Sequence, residues 1–600
     1  MRRLRRNKLI VNALADHCSR LMALVLFLLL FSSCVKSNSD NENLKIFKYN
    51  ESSGILTLDP IYAKDLPHIW ACNQIFNGLV AFDDEMNVVP AIAKSWDISE
   101  DGMTYTFVLR DDVYFHEDEC FEKTTRLQDY KTTSDLLVDL EKTRKVVAQD
   151  FVYSFNRVLD RKLNSSGSWI FANAYAFNAV NDTILEIKLT QPFPAFLGIL
   201  SMTYASVVPH EAVEYYGTEF GRHPVGTGPF KYQYWKEGVK LVFRKNPIYF
   251  EFEETTRLQG YKTTSDFEDS LRLPYLDAVS ISFLVDKQVA FMEFIKGKFH
   301  FMSGIDARYK DELLTRDGNL REEYEDEIYL IREPYLNTEY LAFFLGDDDT
   351  LSKERSLALR QAVSYSIDRE KMLRYLRNGI GTPGNQGIIP AGLPGFKDYK
   401  TTRLQDNKLV DSLSSGLVDS DIGYPYNPKK AEQLLNDNDL IGYELKLYTT
   451  QDYVDIAKFV QSALTEIGLV CKVEEMMPAA LREKRANGNL PFFRSSWVAD
   501  YPDAENYLSL FTTGNFTPQG PNYTHYSNEK FDELYQKSLT CNDLQERAKI
   551  YHEMDGLMMT EAPVVILFYD EVLRFVNKNV EGLGSNPTNM LNLKRVDLRQ

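Results

Sequence analysis

The stretch Ala93-Lys94-Ser95-Trp96-Asp97-Ile98-Ser99-Glu100-Asp101-Gly102-Met103-Thr104-Tyr105-Thr106-Phe107-Val108-Leu109-Arg110, continued by Val113-Tyr114-Phe115-His116, sets the terms for the rest of the chain. Within it Tyr105, Phe107 and Leu109 alternate with Thr106 and Val108, the two-residue period of a strand. The same period returns at Leu185, Ile187 and Leu189, set against Glu186 and Lys188. Between the two, Phe151, Val152, Phe155, Val158 and Leu159 fall on one helical face. Farther on, Ile456, Phe459, Val460, Ala463, Leu464 and Ile467 form a longer helical stripe. It stops at Gly468, and a strand-like run from Val470 to Val473 comes next. The class is therefore mixed α/β.

The chain has 600 residues, and single hydrophobic cores stop growing at roughly 250 to 300 residues, so two or three domains are expected. Hydrophobic residues make up 44%, charged residues 26% and aromatics 13%, which excludes disordered and collagen-like chains. A net charge of −18 excludes an electrostatic nucleic-acid binder, because phosphate contact needs concentrated Lys and Arg. The 35 Tyr and 36 Phe on this acidic chain suit a cleft that grips a polar, uncharged or zwitterionic ligand.

The N-terminus is basic, with Arg2, Arg3, Arg5, Arg6 and Lys8, and Arg20 precedes an apolar run from Leu21 to Phe31. This reads as a signal peptide over 1–33, since the run is too short for a bilayer core, which takes roughly 20 residues. Its end, Phe31-Ser32-Ser33-Cys34, resembles the bacterial lipobox, whose cysteine is diacylated and becomes the mature N-terminus. Phe31 stands where that pattern prefers Leu, with Leu30 one position earlier. An ordinary signal peptide before an unmodified Cys34 is the alternative. Residues 34–43 are polar and low in complexity, as a tether should be. Cleavage before Cys34 removes six Lys/Arg and one Asp, leaving the mature chain five units more acidic than −18.

The cysteines at 72, 120, 471 and 541 are too widely spaced for a metal cluster or a dense disulfide framework. A bridge from Cys72 to Cys120 is one state open to them, and buried free thiols are the other. The segment from Lys123 to Asp135 recurs from Glu254 to Asp266, and partially from Tyr399 to Asp406. The spacings are unequal and the copies lack an apolar stripe, so they are not solenoid units. They are expected to be loop insertions near 122–145, 253–271 and 397–421, where added length costs only about 0.6 kcal/mol per doubling. A protein-docking role for the repeats is the alternative.

No catalytic constellation stands out. His210-Glu211 and His116-Glu117 lack the second histidine of a zincin helix, and no G-x-S-x-G elbow occurs. Gly226-Thr227-Gly228 lacks a third glycine and a following helix, and there is no Walker lysine loop. No enzyme activity, metal or cofactor is expected, and an exported binder fits better.

Several blocks, in order, then resemble one family. They include Leu58-Asp59-Pro60, Ile75-Phe76-Asn77-Gly78-Leu79, the opening stretch, Ala148 to Arg157 and Pro224-Val225-Gly226-Thr227-Gly228-Pro229-Phe230. Tyr275-Leu276-Asp277, Ala362 to Arg369, Tyr426-Asn427-Pro428-Lys429-Lys430-Ala431, Trp497-Val498-Ala499-Asp500-Tyr501-Pro502-Asp503 and Ala562-Pro563 complete the set. Together they resemble the extracellular solute-binding proteins of family 5, the oligopeptide- and dipeptide-binding components of ABC importers. The repeats fall between the blocks.

The resemblance implies a type II periplasmic-binding-protein-like fold, with two lobes around a ligand cleft, an extra domain and a chain that crosses between lobes more than once. Lobe I is expected from 44–79, 222–333 and 555–600, the extra domain from 80–221, and lobe II from 334–554. The implied protein is a monomeric receptor, held in the cell envelope by a lipid on Cys34. It captures short peptides in the periplasm and hands them to a membrane permease served by a separate ATPase. By the same resemblance Asp500 holds the peptide α-amino group beside Trp497, Arg494 meets the peptide carboxylate and Tyr340 lines the cleft. Lys64 stands where some relatives carry a glutamate. A same-fold binder of a nickel chelate, an oligosaccharide or haem is the first alternative, and an exported enzyme or structural lipoprotein the second.

Overall fold

The computed structural model describes residues 44–122, 142–251, 273–304, 310–346, 351–396 and 423–599. The leader, the tether with Cys34 and all three repeats lie outside the described residues. The chain divides after Lys45, and every element of the fold belongs to the unit from Ile46 onward.

The elements that position the site are, in chain order, β1 (Ile46–Asn50), α1 (Leu66–Ile75), β2 (Ala93–Ile98), β3 (Thr104–Leu109), α2 (Ala148–Leu159), β4 (Ala174–Asn181) and β5 (Ile184–Leu189). Next are β6 (Phe230–Lys236), β7 (Lys240–Lys245), β8 (Ala278–Ser282), β9 (Phe301–Ser303), β10 (Ile328–Phe343), β11 (Glu444–Thr449), α3 (Val454–Glu466) and β12 (Val470–Glu475). Last come β13 (Phe492–Val498), α4 (Glu505–Leu508), α5 (Leu544–Glu561) and β14 (Val564–Asn577). The strand and helix patterns read from the sequence fall on β3, β5, α2, α3 and β12.

β2, β3, β5 and β4 form a four-stranded antiparallel sheet in that spatial order. Tyr105, Phe107 and Leu109 face inward from it, and α2 covers it, with the Phe155 ring edge-on to Phe177 at 5.2 Å. The large mixed sheet runs β12-β11-β13-β10-β14-β9-β1-β8-β7-β6, with Thr382–Pro383 pairing onto β14.

Buried apolar side chains gather mainly in two clusters. One joins side chains between Phe47 and Phe283 with others between Val576 and Leu598, and the second lies between Leu336 and Tyr569. A continuous sheet ties them, and its two longest strands carry the crossing. β10 sends Tyr329 and Ile331 against the first cluster and Leu336 to Phe343 into the second. Antiparallel to it, β14 buries Val564 to Tyr569 in the second and Val576 in the first. Their register slips between Pro334 and Thr338, an irregularity of the kind that bends a strand and re-aims its side chains.

Gly226-Thr227-Gly228 has a packing role. A Cβ on Gly226 would sit 2.1 Å from the Ile75 carbonyl oxygen, and the Gly228 N–H donates to that oxygen at 2.7 Å. The missing side chains let this segment dock on the end of α1. His116 clamps it: Nδ1 accepts from the Gly226 N–H at 3.3 Å, and Nε2 bonds the Gly228 carbonyl at 3.0 Å. Burial holds the His116 imidazole down to about 3, so it is neutral. Cys72 and Cys120 are free thiols. Among the described residues no helix is long and apolar enough to cross a membrane.

Candidate functional site

The site begins where β13 leaves the sheet. Its last residues, Trp497 and Val498, pair with Thr338 and Asn337 of β10, and the Ala499 N–H donates to Leu336 O at 2.8 Å. The chain then turns through Asp500 to Asp503 into α4. The Tyr507 hydroxyl fastens the turn from beneath, donating to Leu336 O at 2.7 Å. The turn therefore springs from the β10 irregularity, at the seam between the two clusters.

A cavity of about 410 Å³ opens along that seam. Lys64, Asp65 and Ile69 around the start of α1 line one side, with Trp169 and Tyr204. Tyr335 of β10 and Val498 to Asp500 line the other. Asp65 caps α1 by accepting the His68 N–H at 3.3 Å, which fixes the start of that helix at the cavity wall. The volume falls within the range of about 300 to 1,000 Å³ common for small-molecule sites.

Asp500 is reached by water in the cavity yet surrounded by protein. This partial dehydration pushes its carboxyl above the ordinary value, opposed only by the Asn506 amide. No Lys or Arg among the described residues acts on it. Across the cavity the Tyr204 hydroxyl is pushed up to about 12 by burial, then by the charges of Asp500 and Asp65. The cavity is lined by Asp65, Asp84 and Asp500 against Lys64 and Lys594, the last of these paired with Glu251. An Asp500 carboxylate outside any ion pair among the described residues suits an incoming cation.

Of the four expected residues, the structure puts only Asp500 in the cavity wall; Trp497, Arg494 and Tyr340 stand outside it. Trp497 stands three residues before Asp500, but its indole Nε1–H is spent on Asn506 Oδ1 at 2.8 Å. Arg494 is held behind the site, donating from Nε to Glu339 Oε2 at 3.0 Å and from a terminal nitrogen to Oε1 at 2.6 Å. Its guanidinium lies 3.4 Å over the Tyr453 ring. Tyr340 is 3% exposed in the second cluster, opposite Ser495 of β13. Neither Arg494 nor Tyr340 lines the cavity. Tyr204, Tyr335 and Asn506 carry no sequence signal that marks them, because each reaches the site only through the fold.

The pattern of the bacterial extracellular solute-binding proteins, family 5 Middle, matches residues 87–518. The chain belongs to this family. Family 5 proteins are binders of solutes rather than enzymes, in keeping with a cavity that presents a carboxylate and aromatic rings. The chain is 24% identical to the glutathione-binding protein GsiB of Shigella flexneri, over 98% of this chain and 100% of that one. Among solved structures it resembles HbpA2 from Haemophilus parasuis, with TM-score 0.74 and 20% identity, over 92% of this chain and 100% of that one. It also resembles the periplasmic binding protein DppA from Helicobacter pylori in complex with the peptide STSA. There the TM-score is 0.65 at 21% identity, over 92% of this chain and 98% of that one. These likenesses establish the type II periplasmic-binding-protein fold.

Proposed function

We propose that this family 5 protein is the periplasmic receptor of an ABC importer for short peptides, and that Asp500 takes the ligand's ammonium. The observation that carries the reading is a carboxylate exposed to the cavity and, among the described residues, in no ion pair, although Lys64 and Lys594 also line that cavity. Glutathione and the STSA peptide, named for two of the similar proteins, each present a free ammonium on a short peptide-like body. A cavity of about 410 Å³ suits a body of that size.

The segments 44–79, 222–333 and 555–600 with 80–221 act as one side of the cleft, and 334–554 as the other. The two turn on β10 and β14 and close over the ligand. The protein acts as a monomer, anchored through a lipid on Cys34, and delivers its cargo to a permease driven by a separate ATPase.

Arg494 reaches a ligand carboxylate only by leaving Glu339, which is 3% exposed. Stripping a buried carboxylate of its partner costs roughly 3 to 5 kcal/mol, more than one new ion pair in a wet cleft returns. Arg494 therefore serves the site by neutralising Glu339, and Lys64, exposed on the cavity wall, meets the carboxylate.

Calorimetry with reduced glutathione and tri-alanine tests the amine role. The wild type should bind at least one of them, N-acetylation of the ligand should weaken binding, and Asp500→Ala should weaken it by about tenfold or more. Unchanged affinity in Asp500→Ala would refute the assignment.

A further inference from the structure

Asn506 is 5% exposed on the single turn of α4. Its Oδ1 accepts two hydrogen bonds, from the Trp497 indole at 2.8 Å and from the Asp500 backbone N–H at 3.1 Å. Both partners are donors only, so the atom facing them must be the amide oxygen. The amide nitrogen is thereby forced the other way, where it donates to Asp500 Oδ2 at 3.5 Å, with the Tyr501 hydroxyl nearby. Three hydrogen bonds engage the carboxamide oxygen and one of its N–H groups, and its orientation is set by its neighbours.

The contact to Oδ2 is at the long limit of a hydrogen bond, so it aims the carboxylate without saturating it. Among the described residues nothing else donates to that carboxylate. Tyr501 in turn donates to Glu505, which is 4% exposed and also bonded by Tyr535. The amide is thus braced against a buried network instead of hanging free.

We infer that Asn506 is the positioning residue of ligand capture: its carboxamide fixes the turn through Trp497 and the Asp500 backbone, and holds the Asp500 carboxylate facing the cavity. This inference rests on the amine role proposed for Asp500. The requirement is specific to a short carboxamide. Aspartate accepts twice but has no donor to offer, and serine has one hydroxyl for three partners. Asn506 from α4 contacts Asp500 and Tyr204 lies within reach of its charge, and the other charged side chains lining the cavity are Lys64, Asp65, Asp84 and Lys594.

Asn506→Asp is close to isosteric. It keeps an acceptor toward Trp497 and the Asp500 N–H but sets a second carboxylate against Asp500. A double-mutant cycle on the full chain, read by calorimetry with reduced glutathione and tri-alanine, separates aiming from general support. N506D should lower affinity by about tenfold in the wild-type background and by less than about twofold in the Asp500→Ala background. The acid limb of the affinity profile should also move to higher pH in N506D, because a donor that favours the Asp500 carboxylate gives way to a like charge.

Equal losses in both backgrounds, with an unmoved acid limb, would overturn the inference while leaving the amine role intact. An Asp500→Ala protein that binds normally, or a wild type that binds neither probe, would overturn both. If N506D loses its native circular dichroism, Asn506→Ser carries the same cycle.

Discussion

At the scale of single residues, the carboxyl groups separate into those with a cation and those without, and the chemistry obeys that division. Asp500 lacks one and faces the cavity. Asp555, on α5 and 8% exposed, also lacks one, but it accepts the Ile388 N–H at 2.9 Å and is walled in by Gly387. Burial pushes the Asp555 carboxyl up to about 7 against the pull of the Ile388 and Ile389 N–H groups. An unfolded aspartate titrates near ~3.9, so the folded chain keeps a proton that the unfolded chain releases. The stability this gives is complete below about pH 4 and is lost as pH rises toward about 7, with a slope approaching ~1.4 kcal/mol per pH unit. Thermal melts between about pH 5 and about pH 8 should show that loss in the wild type and a flatter profile in Asp555→Asn; identical profiles would refute it. None of this is visible in sequence. Asp500 announces itself through the Trp497 to Asp500 block, whereas Asn506 matters because of which way its amide points, and only side-chain packing decides that.

At the scale of elements, β10 and β13 show how a strand serves a site it does not line. Leu341 pairs with Arg494 and Glu339 with Ser496, so the Arg494 and Glu339 side chains meet diagonally across the strands. Glu339 is buried enough that dehydration raises its carboxyl even beside the guanidinium. Arg494→Ala should therefore destabilise the fold by roughly 3 to 5 kcal/mol, while Arg494→Met combined with Glu339→Leu should recover most of it. Denaturant titration of the single and double variants checks this, and a single variant of wild-type stability with lost ligand affinity would instead return Arg494 to the ligand. The period of β3 and the stripe of α3 are legible in sequence because each is a local pattern of hydrophobicity. The partner of Arg494 is not, since Glu339 lies on another strand brought alongside only by the sheet.

At the scale of the whole molecule, we propose that the repeats are separable from the fold. On either side of 123–141 the Asp118 N–H meets Lys142 O at 3.0 Å, and on either side of 252–272 the Leu273 N–H meets Glu251 O at 3.4 Å. The described chain on either side of each of these segments is thus held together by a backbone hydrogen bond, which supports reading the segments as loop insertions. Replacing 123–141 and 252–272 by short Gly-Ser turns should change stability by less than about 1 kcal/mol and leave peptide affinity unchanged. A loss of binding in melts and calorimetry of that variant would make the repeats part of the function. Class, family and the block that carries Asp500 are written along the chain, because hydrophobic period and ordered motifs are properties of neighbouring residues. Folding alone commits Arg494 to Glu339, buries Tyr340 away from the cavity, sets Asn506 against Asp500 and brings Lys64 and Tyr204 into the cavity that Asp500 lines. Those relations depend on which distant side chains share a dehydrated space, and the strand pairing and the packing of α1 and α4 at the seam create that space.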